Sequence, residues 1–293
     1  MQTDMTHGPI MKSMLIFAAP MVLGNLLQQC YNIADTLIVG RYLGSDALAA
    51  VGSSFTLMTF LTSILLGLCM GSGAFFSIRF GEKDETGLKD GICASFLLIL
   101  LLTAVLNIIA FILLDNVKIF MNIPPDIWEY MRDYLAVIFC GIFATFLYNY
   151  FSSLLRSVGN SVVPLVFLAI SAVLNIGLDF LFVFGFKRGT AGAAEATLIA
   201  QYIAGVGITV YSVKYVPYLK FKKGELCIRR GVMKNIMGFS ILTCIQQSVM
   251  NLGILLVQGI VNSFGASVMT AFAAAVKIDA FAYMPVQDFG NAF

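Results

Sequence analysis

Two aspartates, Asp35 and Asp179, lie inside stretches that are otherwise apolar. An ionisable group at membrane depth is costly and usually faces a bundle interior or a water-filled cavity. Asp35 closes a polar stripe: Asn25, Gln28, Asn32 and Asp35 follow at spacings of three, four and three, which places them on one helix face. Asn175 precedes Asp179 by four residues, so these two also share a face. Such groups suit two chemistries. Carboxylates close together in low dielectric cannot both ionise cheaply, which fits exchange of a proton. The same oxygens suit a hard cation such as sodium. The bland alternative is that both acids merely hold helices together, and two membrane-depth acids are a high cost for adhesion alone.

The elements that must position these residues follow from composition. Of 293 residues 59% are hydrophobic and only 12% charged, and the mean hydropathy is +0.89. Soluble domains carry about 25% charged residues, so the chain reads as an all-α polytopic membrane protein. Eight apolar segments are predicted as transmembrane helices, roughly 14–39, 47–74, 92–114, 128–152, 164–186, 191–216, 235–262 and 267–290. The first, at 1.5 Å per residue, is about 39 Å long, more than enough to cross a bilayer's hydrocarbon. A strand signal would alternate every two residues over about ten, which these do not. Separators such as Arg41-Tyr42-Leu43-Gly44-Ser45-Asp46 and Ile123-Pro124-Pro125-Asp126 carry turn chemistry. Glycines inside the segments, Gly67, Gly71 and Gly73 among them, fit close helix packing in lipid.

Other residue types narrow the function classes. The net charge of +2 does not call for nucleic acid. Cys30, Cys69, Cys93, Cys140, Cys227 and Cys244 are scattered without a C-x-x-C pair, and five of them read as small buried hydrophobes. The single histidine, His7, lies in the polar start, which leaves serine or metal catalysis without a partner and predicts a non-enzyme without cofactor. The first apolar run is too long for a cleaved signal peptide. Twelve lysines and arginines fall in the start and the 75–91, 153–163 and 214–234 loops, against five in the alternate loops. That asymmetry predicts a cytoplasmic N-terminus. The longest polar connection, 217–233, separates two copies of one pattern. Residues 233–293 repeat the opening of 11–72, with Met233-Lys234 against Met11-Lys12 at an offset of 222 and Phe264-Gly265 against Leu43-Gly44 at 221. Parallel internal repeats are a mark of secondary transporters.

The run Asp35-Thr36-Leu37-Ile38-Val39-Gly40, with Leu43-Gly44 and Ala47-Leu48-Ala49-Ala50-Val51, resembles the first helix and outer loop of multidrug and toxic compound extrusion (MATE) transporters of the prokaryotic DinF-like subgroup. Leu155-Arg156-Ser157-Val158-Gly159-Asn160-Ser161 with Pro164, Leu174-Asn175-Ile176-Gly177-Leu178-Asp179, and Gly192-Ala193-Ala194-Glu195-Ala196-Thr197 with Gln201 extend the resemblance over essentially the whole chain. It implies a fold of twelve helices in two lobes. Eight would be seen here: a complete N-lobe in 1–216, a cytoplasmic linker in 217–233, and the first two C-lobe helices in 234–293, the chain being truncated. It also implies a cation site of Asp35, Asn175 and Asp179, with Tyr134 and Thr197 as neighbours, for H+ or Na+ as the coupling ion. The implied activity is antiport of amphipathic drugs by a monomer in the prokaryotic plasma membrane.

Weaker candidates stand beside these. Gln28 and Asn32 on the first helix, and Gln247, Asn251 and Gln258 on the seventh, are expected either to line a substrate cleft or to bond across the lobe. Between Lys234 and Ser263 there is no glutamate for a second cation site, which favours an asymmetric one. Lys277 and Asp279, two apart, read as a structural or polar network, and Glu195 as a charge near a helix start. Two rivals are a flippase for lipid-linked precursors, which should carry several membrane arginines, and a fragment that transports nothing. An aspartyl protease is a third, but Ala34-Asp35 and Leu178-Asp179 lack the expected contexts.

Overall fold

The computed structural model describes residues 10–220, 230–276, 278 and 279. His7, Cys227, Lys277, most of the expected linker and the end of the eighth segment lie outside the described residues, as do the expectations that rest on them. The described residues form helices and turns with no strand. In chain order they are α1 (Ile10–Leu43), α2 (Ser45–Gly81), α3 (Glu85–Ile112), the short α4 (Val117–Phe120), α5 (Pro125–Phe139), α6 (Ile142–Ser157), α7 (Val162–Asp179), α8 (Gly189–Tyr215), α9 (Arg230–Asn262) and α10 (Ala266–Val276). The first seven apolar segments fall on this series, the fourth being split between α5 and α6, and the described start of the eighth falls on α10.

Among the described residues, α2, α3, α7 with its extension to Gly185, α8 and α9 are long and apolar enough to cross a membrane. The α5–α6 pair adds a sixth crossing if its two parts, bent by 49°, are one span. The turns are built as local chemistry dictates. Gly44 takes φ 93° between α1 and α2, a left-handed conformation that glycine adopts without strain. Asp84 caps α3 by accepting from Gly87 N at 2.9 Å, and Arg79 pairs with Glu82 and Asp84 across the same turn. Pro125 opens α5 at its first turn, where a missing N–H costs nothing.

Helix α2 is the central post. The main apolar core gathers its inner residues, such as Leu65, Leu68 and Phe76, with Ile92 and Ile99 of α3 and Phe146, Tyr150 and Leu154 of α6. On another face α2 meets α9 along a seam of small residues. A Cβ built on Gly71 would stand 2.5 Å from Ser240 Cα and 2.7 Å from Phe239 O, and one on Gly67 would collide with the backbone at Cys244. Ser72 and Ser240 hydroxyls bond at 3.2 Å beside them. Towards the other end of the seam the contact turns polar. Gln258 Nε2 donates to Asn262 Oδ1 at 2.7 Å and to Ser53 Oγ at 3.3 Å, and Thr56 Oγ1 donates to Gln258 Oε1 at 3.2 Å. Asn262 Nδ2 donates to the Met121 carbonyl at 2.8 Å. Gln258 and Asn262 are buried, so each of these bonds replaces one that water would otherwise supply.

Three substitutions separate these contributions. Gly67→Leu is expected to force α9 away from α2 and to lower stability in detergent by about 3 kcal/mol. Gly253→Ala, which meets nothing within 4 Å, should instead gain about 1 kcal/mol of helix propensity. Gln258→Leu removes the bonds of that amide to Ser53, Thr56 and Asn262, leaving Ser53 with Asn262 Oδ1 and Thr56 with the Gly52 carbonyl, and should cost about 1–3 kcal/mol. Thermal unfolding followed by circular dichroism checks all three.

Candidate cation site

The acids flagged by sequence come from two helices. Asp35 lies in α1, 8% exposed, and Asp179 is the last residue of α7, fully buried. They interact electrostatically with one another. Asn175, one turn before Asp179, is 2% exposed and donates its Nδ2 to Thr197 Oγ1 of α8 at 3.1 Å. Tyr134, on α5 and 7% exposed, interacts electrostatically with both Asp35 and Asp179. The five residues named from sequence are thus brought together by α1, α5, α7 and α8.

A sixth residue joins them. Tyr31 lies one turn before Asp35, interacts with both aspartates, and shares a hydrogen bond with Gln28. Sequence reasoning followed the amides of the α1 stripe and passed over this tyrosine. Its spacing of four to Asp35 was the available signal.

Two irregularities shape the surroundings. Directly after Asp179 the helix widens into a π-helical segment, Phe180–Gly185, in which Phe186 N bonds Leu181 O at 2.9 Å. Single π turns inside helices recur at functional sites. The second is the break between α5 and α6 at Cys140-Gly141, which sets the direction of the helix carrying Tyr134. One turn beyond the acids the lining becomes apolar. Ile38 and Val39 follow Asp35, Val183 follows Asp179, and Ala193 and Ala194 precede Thr197; with Ala47, Val51 and Ile138 they form one buried cluster around Tyr134. This collar shields the polar groups at the end of the bundle where α1 gives way to α2.

The acceptor balance is uneven. Neither carboxyl oxygen of Asp179, nor Oδ1 of Asn175, has a hydrogen-bond partner among the described residues. Hard oxygens in an apolar enclosure are suited to taking up a proton or a small cation.

The remaining candidates are placed elsewhere. Gln28 and Asn32 are half-buried, with Asn32 Nδ2 donating to Gln29 Oε1 at 3.5 Å. Gln247 Nε2 reaches Met70 Sδ at 3.6 Å, and Asn251 Nδ2 caps the Gln247 carbonyl at 2.9 Å. Gln258 belongs to the buried seam of α2 and α9. Glu195 pairs with Arg188 at 2.9 Å across the start of α8, and Asp279 is exposed. A groove of about 590 Å³ is lined by Leu15, Ala19, Val22, Leu23 and Leu26 of α1, none of which belongs to the acid cluster.

The bond between Asn175 and Thr197 is open to test. Thr197→Val removes the acceptor while keeping the shape, leaving the Asn175 amide without its partner. The expected cost is about 1–3 kcal/mol in thermal unfolding, with Thr197→Ser retaining most of the stability.

Comparison with known proteins identifies the family of the chain. The MatE family model matches residues 20–181, more than half of the chain. The chain is 30% identical over 296 residues to the probable multidrug resistance protein YpnP of Bacillus subtilis, covering 99% of this chain and 64% of that protein. It is 25% identical to the probable multidrug resistance protein NorM of Thermotoga maritima, covering 94% of this chain and 60% of that one. It therefore spans somewhat under two thirds of the length of these relatives. A multidrug resistance MATE family transporter solved in an outward-facing conformation superposes with a TM-score of 0.86 at 24% identity, over 96% of this chain and 63% of that one. An inward-facing conformation gives 0.82 at 23%, over 93% and 64%. At such identities the superpositions speak for the fold. Sequence and fold agree: this chain belongs to the MatE family.

Proposed function

We propose that the protein works in cation-coupled efflux of amphipathic organic cations and related xenobiotics, with Asp35, Asn175 and Asp179 holding the coupling ion and Tyr31, Tyr134 and Thr197 completing its surroundings. The observation that supports this most directly is the meeting of two buried aspartates from α1 and α7 beside acceptors that no donor satisfies. The relatives' names, probable multidrug resistance proteins, support a role in drug efflux.

On this reading residues 1–216 form one lobe, 217–233 a cytoplasmic linker, and 234–293 the opening of a second lobe, in a multi-pass protein of the prokaryotic plasma membrane with its N-terminus in the cytoplasm. The coupling ion, H+ or Na+, supplies positive charge to the two acids inside the apolar collar. With the ion bound, the site is electrically satisfied and the helices close on it. Without it, the acids favour an arrangement in which water or a cationic drug reaches them. Ion and drug thus favour opposed states, and a gradient of the first drives export of the second. Polar groups of the α2–α9 seam can take water as their partner when the seam parts, which keeps the cost of opening low.

Efflux of a fluorescent organic cation from vesicles, driven by a pH or a Na+ gradient, tests the assignment. Asp35→Asn and Asp179→Asn are each expected to reduce gradient-driven efflux at least about 10-fold, the scale of one lost charge-assisted interaction. Undiminished transport in both variants would sink the coupling role.

A further inference from the structure

The break between α5 and α6 leaves two carbonyls without their helical partners. At Cys140 and Gly141 the backbone bonds tighten, Cys140 N to Val137 O at 3.1 Å and Gly141 N to Ile138 O at 2.8 Å. A helix bent by 49° here cannot offer the Phe139 and Cys140 oxygens the amides four residues on. In hydrocarbon no water takes their place, and the bent form is stable only where neighbouring side chains donate instead.

Both donors are present, on two different helices. Asn107 of α3 donates its Nδ2 to Phe139 O at 2.6 Å, and the Tyr202 hydroxyl of α8 donates to Cys140 O at 2.9 Å. Cys140 and Tyr202 are exposed on the outside of the bundle, so this second bond caps a carbonyl that would otherwise face lipid. The inner side is closed by size: a Cβ on Gly141 would stand 2.8 Å from Gln201 Oε1, which also accepts from Thr145 Oγ1 at 3.4 Å. Nearer its start, α5 is tied to α8 again, with Thr190 Oγ1 donating to Tyr130 O at 3.1 Å.

Helix α8 is thus a splint for α5, and it carries Thr197 between its two ties. Tyr134 lies between them on α5, midway from Tyr130 to the break. We propose that Asn107 and Tyr202 are positioning residues for the cation site: by paying the two freed carbonyls with hydrogen bonds they fix the bend that sets Tyr134 within electrostatic reach of Asp35 and Asp179. This rests on the reading of that cluster as a cation site. Neither residue touches the acids, so both act through the direction of α5.

The test is a double-mutant cycle on the purified protein in detergent. Protection against thermal unfolding is scanned with Na+ at alkaline pH, and with pH in the absence of Na+, for Tyr134→Phe, Tyr202→Phe and the pair. Both single variants are expected to shift the cation midpoint by about 3- to 10-fold, the scale of one hydrogen bond, and the pair no further than the larger single shift. Asn107→Leu should shift it likewise and Asn107→Gln, which keeps an amide donor, should restore it. A purely structural role would lower the unfolding temperature and leave the midpoint in place. If Tyr134→Phe shifts the midpoint and Tyr202→Phe does not, or if the two shifts multiply, the positioning role is overturned while the site stands. No shift in Tyr134→Phe while Asp179→Asn shifts the midpoint overturns the positioning role and leaves the site standing; no shift in Asp179→Asn overturns the site reading itself.

Discussion

A hydrocarbon surround gives a polar atom no alternative partner, and nearly every feature of this chain answers to that constraint. Where the backbone is regular it satisfies itself. Where it departs from regularity, side chains of neighbouring helices step in, as Asn107 and Tyr202 do at the α5–α6 break. Where amides are buried they bond to one another, as Gln258 and Asn262 do with Ser53, Thr56 and Met121. Against that background both carboxyl oxygens of Asp179 and Oδ1 of Asn175 are buried acceptors without a hydrogen-bond partner among the described residues, gathered beside a second acid.

The enclosure around those acceptors is equally economical. The residues that flank the polar groups by one turn are small or β-branched: Val39, Val183, Ala193 and Ala194. They pack tightly without contributing a polar side-chain atom, so the lining changes from polar to apolar within a single turn on three helices. The widened turn after Asp179 belongs to this boundary. It changes the register of α7 where the polar face ends, letting Val183 join the collar.

Much of this was legible in the sequence, for reasons that can be stated. Helices in lipid announce themselves by uninterrupted apolar runs, and an acid inside such a run is conspicuous; hence Asp35 and Asp179, with Asn175 following from its spacing. Tyr134 and Thr197 depended on a family likeness, because a tyrosine or threonine in a membrane helix is ordinary. Tyr31 escaped for the same reason. The break at Cys140-Gly141 was hidden because apolar composition runs straight across it, so the fourth segment read as one helix. The destination of Gln258 was open for another reason. Periodicity says that a side chain lies on a polar face, but which helix meets that face is a tertiary fact, and it is α2 that does.

The seam between α2 and α9 carries a mechanical consequence. Where Gly67 and Gly71 meet Cys244 and Ser240, the two backbones touch with almost no side chain between them. Side chains are the compliant layer of a helix interface: they change rotamer and follow a partner as it moves. Without that layer the attraction fades over a very short distance, since a gap of about 0.5–1 Å already forfeits a quarter to a half of a van der Waals contact. Such a joint does not stretch. It is either seated or released, so a small displacement transmitted from elsewhere in the bundle would be converted there into an all-or-none event.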